Sequence, residues 1–117
     1  MAEPDLIFKV ASRTAYETGV TSGSFAGMPV DAADGFMHFS TAAQLPETLA
    51  KHFAGQADLV LFAVRLTDIA ADIRWEPSRG GALFPHLYAA LPMSAVAWTV
   101  PIAVAVDGSC ALPESVG

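Results

Sequence analysis

Leu59-Val60-Leu61-Phe62-Ala63-Val64 is the stretch on which the fold turns. Every residue in it is apolar, and it is too short for an ordinary helix. A run of that kind is the mark of a strand buried on both faces. The sequence on either side supports a strand. Before it, Thr41-x-x-Gln44 forms a capping box, and Pro46 suits a first helical turn. Leu45, Leu49 and Phe53 then share one helical face, and Gly55 closes the element, so a helix is predicted over 41–53. After it, Thr67 to Ala71 reads as one helical turn and Ile73 to Glu76 as a strand, with a loop over 77–81. Ala95 to Val106 reads as one or two closing strands, with Pro101 forcing an edge or a bulge.

Toward the N-terminus, Phe36 to Ser40 alternates and reads as a strand. Residues 19 to 35 are rich in Gly, Ser, Thr, Asp and Pro and predict a long mobile loop. Ser12 or Thr14 caps a short helix over 13–18 that Gly19 ends, and Leu6 to Val10 is a first strand. The expected fold class is α+β. It is a mostly antiparallel, twisted sheet or split β-sandwich with two or three short helices.

The chain has 117 residues, 53% of them hydrophobic and 15% charged. This excludes intrinsic disorder and points to one domain over 1–117, with a core about 6–106 and a frayed tail over 107–117. Six Lys and Arg stand against twelve Asp and Glu, a net charge of −6. Coating of nucleic acid and polybasic attachment to a membrane both need the opposite sign. A lone cysteine, Cys110, makes no internal disulfide. No signal peptide or run of membrane-spanning length is present, so a cytoplasmic protein is expected.

Charge is scarce, so its clustering carries information. Arg74-Trp75-Glu76-Pro77-Ser78-Arg79-Gly80-Gly81-Ala82-Leu83-Phe84-Pro85-His86-Leu87-Tyr88 gathers Arg, His and aromatic residues into one segment. Arg74 and Glu76 share a strand face. Arg79 can fork onto a phosphate or carboxylate, and Gly80-Gly81 lets a ligand approach closely. Trp75 and Phe84 can flank a planar ring. In the earlier strand His38 and Ser40 share one face, and Met37 and Phe39 the other, which suits the core. Thr41 stands where strand becomes helix, with its amide and hydroxyl placed for an anion. Each feature has a structural alternative: a surface Arg–Glu pair, a satisfied histidine, an ordinary cap. His52 reads as a solvated helix residue. The spacing of His38, His52 and His86 fits no metal signature, so no metal site is expected.

Three segments resemble the small bacterial proteins of domain of unknown function 952: Ile7 to Val10, Asp34 to Gln44, and Arg74 to Tyr88. That family is in turn distantly similar to the ADP-ribosyltransferase superfold, which grips NAD between two small sheets. The resemblance implies Lys9 at the first position of the superfold's site, His38 and Ser40 at the second, and Glu76 or His86 at the third. It implies a nucleotide-like ligand of NAD or ADP-ribose type as substrate rather than as bound cofactor. On that reading His38, Glu76 and His86 are catalytic. Glu76 would stabilise positive charge on a ribosyl carbon, and His86 would act as general acid or base. Ser40, Thr41, Arg74, Arg79, Gly80, Gly81, Phe84 and Tyr88 would bind the anionic small molecule. The alternative is a module that holds a ligand in the same cleft and turns nothing over.

Overall fold

The structure, a computed structural model, describes residues 5–78 and 81–116. Leu59–Arg65 is a strand (β4) at the centre of a three-stranded antiparallel sheet, between β1 (Leu6–Ser12) and β8 (Val96–Ile102). Its two faces feed two separate cores. Val60, Phe62 and Val64 join one, and Leu59, Leu61 and Ala63 join the other. That division is why the run is apolar throughout. Each wholly buried large side chain, Phe62 among them, contributes about 1.5–3 kcal/mol. Pro101 lies on β8, an edge strand of the sheet, where its missing N–H costs no ladder bond.

The first core fills the space between this sheet and a second one of order β3-β6-β5. The second sheet is built from Met37–His38 (β3), Ile73–Ser78 (β5) and Ala82–Leu87 (β6). Met37, Leu87, Ile73 and Trp75 turn inward from it onto Ile7, Phe62 and Phe39. The second core lies on the far side of the first sheet. It is covered by Leu45 and Leu49 of α3 (Leu45–His52) and by the C-terminal segment. That segment does not run free as expected for 107–117: Val116 is buried, and Cys110 and Leu112 pack beside it. Every strand pairing is antiparallel, and the helices are few and short, so the α+β architecture stands.

Two expectations change. The predicted loop over 19–35 contains β2 (Ser24–Phe25) and the short helix α2 (Pro29–Asp34). Helix α1 (Arg13–Ser22) is capped by the Ser12 hydroxyl, which accepts from the Ala15 N–H, and runs through Gly19 to end at Gly23. Gly19 is there for space: a Cβ would sit 3.1 Å from Phe25 atoms. Strand β6 runs through Pro85, a residue that argues against a central strand in sequence. Pro85 is tolerated because its carbonyl accepts from Phe39 N, so its ring nitrogen faces the same edge, just where β3 has ended. The remaining elements are α4 (Leu66–Ile69), which runs into a 3-10 turn before β5 as expected, and β7 (Leu91–Pro92), which pairs with β2.

Candidate functional site

Strand register decides which side chains meet. His38 lies opposite His86, Arg74 opposite His86 on the other side, and Glu76 opposite Phe84. Partners in register share a face. With Met37, Leu87, Ile73 and Trp75 committed to the core, His38, His86, Arg74, Glu76 and Phe84 occupy the outer face of the second sheet.

Phe36, just before β3, organises that face. Its ring stacks on His86 with centroids 4.2 Å apart and lies 4.8 Å from His38 and 5.2 Å from Tyr88. The two imidazoles meet edge to face at 5.4 Å. His86 Nδ1 is 2.9 Å from Glu76 Oε1, and Tyr88 donates its hydroxyl to the same oxygen at 2.6 Å. The Arg74 guanidinium sits 4.9 Å from the Tyr88 ring centroid, a cation–π contact. The Tyr88 and His86 bonds hold the Glu76 carboxyl below its ordinary value, and the same Glu76 bond pushes the Tyr88 phenol up.

His38 is anchored on its other side. Its Nδ1 lies 2.7 Å from Asp31 Oδ1 and its Nε2 2.9 Å from Asp34 Oδ2, both from α2. Ionised carboxylates only accept, so the ring meets a hydrogen-bond acceptor at each nitrogen. Asp31 is 3% exposed. It also accepts from the N–H groups of Met28 and His38 and from Lys9 Nζ, at 3.1 and 3.0 Å to its two oxygens. Burial alone would raise the Asp31 carboxyl. The His38 bond, the Lys9 charge and the two backbone bonds overcome that and hold it well below the usual carboxylate range. Lys9 is 5% exposed, and burial draws its ammonium down against the Asp31 charge. Its third partner is the His38 carbonyl at 2.8 Å. A recess of about 310 Å³ opens beside the cluster, lined by Asp31, Gly35, Phe36, Leu87, Tyr88 and Ala90 among others. A larger groove of about 690 Å³ between α1 and β8 shares no residue with the cluster. Among the described residues neither cavity is lined by a histidine; the smaller one meets the cluster through Asp31, Phe36 and Tyr88 and is taken as the candidate site.

His38, His86, Glu76, Tyr88 and Arg74 are thus brought together as expected. Ser40 is not with them. It is buried, and its hydroxyl lies 2.8 Å from Thr48 Oγ1 on α3. Thr41 is spent on the capping box: its N–H donates to Gln44 Oε1 and its hydroxyl accepts from Gln44 N. Phe84 is buried on the site's face, and Gly81 has φ +87° with open space about it. Arg79 and Gly80 lie outside the described residues. Asp31, Asp34 and Phe36 were missed as parts of the site, and Lys9 was placed there by the resemblance alone, although it carried a signal of its own, a charge inside the apolar strand Leu6 to Val10.

An α+β domain with a polar, aromatic-backed face on its smaller sheet is the class that fold and site define. A family model described as "Protein of unknown function (DUF952)" matches residues 10–99, and the chain belongs to that family. The crystal structure of protein CC0527 from Caulobacter crescentus is similar at 44% identity and a TM-score of 0.88, covering 95% of this chain and 97% of that one. Its solution NMR structure gives 46% identity and a TM-score of 0.78, covering 90% of each chain. No curated protein matches. Among the described residues no helix is long and apolar enough to cross a membrane.

Proposed function

We propose that the outer face of the β3-β6-β5 sheet binds an anionic, nucleotide-type small molecule of NAD or ADP-ribose type and performs glycosidic-bond chemistry on it. The observation that carries this reading is the meeting of His38, His86, Glu76 and Tyr88 around one aromatic ring, Phe36. A ligand's planar ring has a stacking surface in Phe36 and Tyr88 and a recess of about 310 Å³ beside them, within the size range of small-molecule sites. Arg74 supplies a permanent cation for phosphate on a chain whose net charge is −6, and the sequence offers Arg79 as a second. Glycosidic-bond chemistry needs a proton carrier, and His86 is supported for that part by the Glu76 carboxylate 2.9 Å from its Nδ1.

An ADP-ribosyltransferase-like fold belongs to the same reading. Its support is the pairing of two small sheets, joined where Phe8 bridges Ser40, with His38 on the joining strand. Lys9, at the first position, acts here as a brace on Asp31 and the His38 carbonyl rather than as a ligand contact.

Isothermal titration of the purified protein with ADP-ribose, NAD and ribose 5-phosphate tests the proposal. Saturable binding is expected for the two nucleotides and weaker binding for the sugar phosphate, which lacks a ring to stack. Absence of binding by all three overturns it.

A further inference from the structure

We propose that Glu76 is a positioning residue that keeps the His86 proton on Nδ1 and leaves Nε2 as the acceptor for a hydroxyl proton of the ligand. This rests on the ligand reading given above. Glu76 Oε1 can only accept, so the Nδ1 atom 2.9 Å away carries hydrogen. Whenever that ring carries a single proton, it presents a lone pair at Nε2. The His86 side chain is 5% exposed, and among the described residues no donor reaches Nε2. A buried acceptor is completed by water or by a ligand hydroxyl, and the ring is held so that Nε2 can take either.

The surroundings fix the ring rather than satisfy it. Phe36 stacks on it at 4.2 Å and 29°, and His38 meets it at 69°. The groups facing it are His38 from β3, Glu76 and Arg74 from β5, and Tyr88 beyond β6. Tyr88 holds the same Glu76 oxygen at 2.6 Å, and the Glu76 bond keeps that phenol protonated as a donor. Oε1 is therefore taken by two donors before any ligand arrives. The two histidines differ in consequence. His38 has both nitrogens on carboxylates, whereas among the described residues His86 has one nitrogen uncommitted. In the step itself the ligand O–H bond breaks and an N–H bond forms at Nε2. The electron pair stays on the ligand oxygen, and the new imidazolium faces the Glu76 carboxylate.

Long-range proton–nitrogen NMR of the ligand-free protein at mildly alkaline pH reads the tautomer. Free histidine favours the proton on Nε2, so a proton on Nδ1 of His86 is the signature of the Glu76 bond. It is expected in the wild type and in Tyr88→Phe, and its excess should fall about tenfold in Glu76→Ala. A proton on Nε2 in the wild type, or an unchanged ratio in Glu76→Ala, overturns the positioning role. ADP-ribose is then added. A shift at Nε2 supports the acceptor role, and bound ADP-ribose that leaves Nε2 unmoved overturns it. If ADP-ribose does not bind while the Nδ1 tautomer holds, the nucleotide reading falls and the Glu76–His86 pair stands.

Discussion

Asp31→Ala is expected to destabilise the fold far more than a usual loss of a carboxylate. The side chain is 3% exposed and serves Lys9, the His38 ring and the N–H groups of Met28 and His38. Its removal leaves the Lys9 ammonium, 5% exposed, with only the His38 carbonyl and the Phe39 ring, 5.5 Å away, among the described residues. Breaking one side of a buried ion pair costs about 3–5 kcal/mol. For a chain of this size that lowers the melting temperature by roughly 10–20 °C. The sign with pH follows from the depressed folded-state carboxyl. Asp31 stabilises above its unfolded value of about 3.9, and the contribution is lost as pH falls from there toward the lower folded value. Wild-type stability should therefore drop steeply below about pH 4, and the variant's curve should be flatter there. Urea denaturation followed by circular dichroism, at several pH values, measures both. In a Lys9→Met background the same substitution should cost at least about 1 kcal/mol less, because no buried cation is abandoned. A loss below about 1 kcal/mol, or an equal loss in both backgrounds, would refute the reasoning.

Three further outcomes are expected. Gly108→Ala should destabilise by about 1–3 kcal/mol in thermal melts, since φ is +89° and the new Cβ would meet Ala50 Cβ at 2.9 Å. Ser40→Ala should lose about 1 kcal/mol through the broken bond to Thr48 and leave nucleotide titrations unchanged, because its hydroxyl faces α3. Arg79→Lys should weaken nucleotide binding by about 1–3 kcal/mol with little change in melting temperature; the opposite pattern would make it a brace of its loop.

What the sequence disclosed and what it hid follow one physical line. β4 was legible because burial on both faces demands an apolar run, and Pro101 on an edge because an edge forgives a missing donor. The Thr41–Gln44 capping box was legible because its partners lie three residues apart. The extent of strand β6 was not legible, because a Pro85 inside it is tolerated only where β3 ends opposite it. Helix α2 was hidden by turn-rich composition, and its N-terminus is closed by Asp31 reaching back to Met28 rather than by a Ser or Thr cap. The His and Arg half of the site could be read because those residues are rare in this chain. The bonds of Lys9 to Asp31 and to the His38 carbonyl could not, because they join residues 22 and 29 positions apart, which no local pattern encodes. Ser40 misled because sharing a face with His38 does not fix what covers it: the chain beyond Phe39 leaves β6, bridges to Phe8 and lies under α3.

A crystal structure of the protein soaked with ADP-ribose tests the central claim most directly. The account predicts a planar ring against Phe36 and Tyr88, the diphosphate at Arg74, and a ligand hydroxyl on His86 Nε2. ADP-ribose seated instead in the groove between α1 and β8, or excluded from the crystal at concentrations that saturate nucleotide sites, would contradict it.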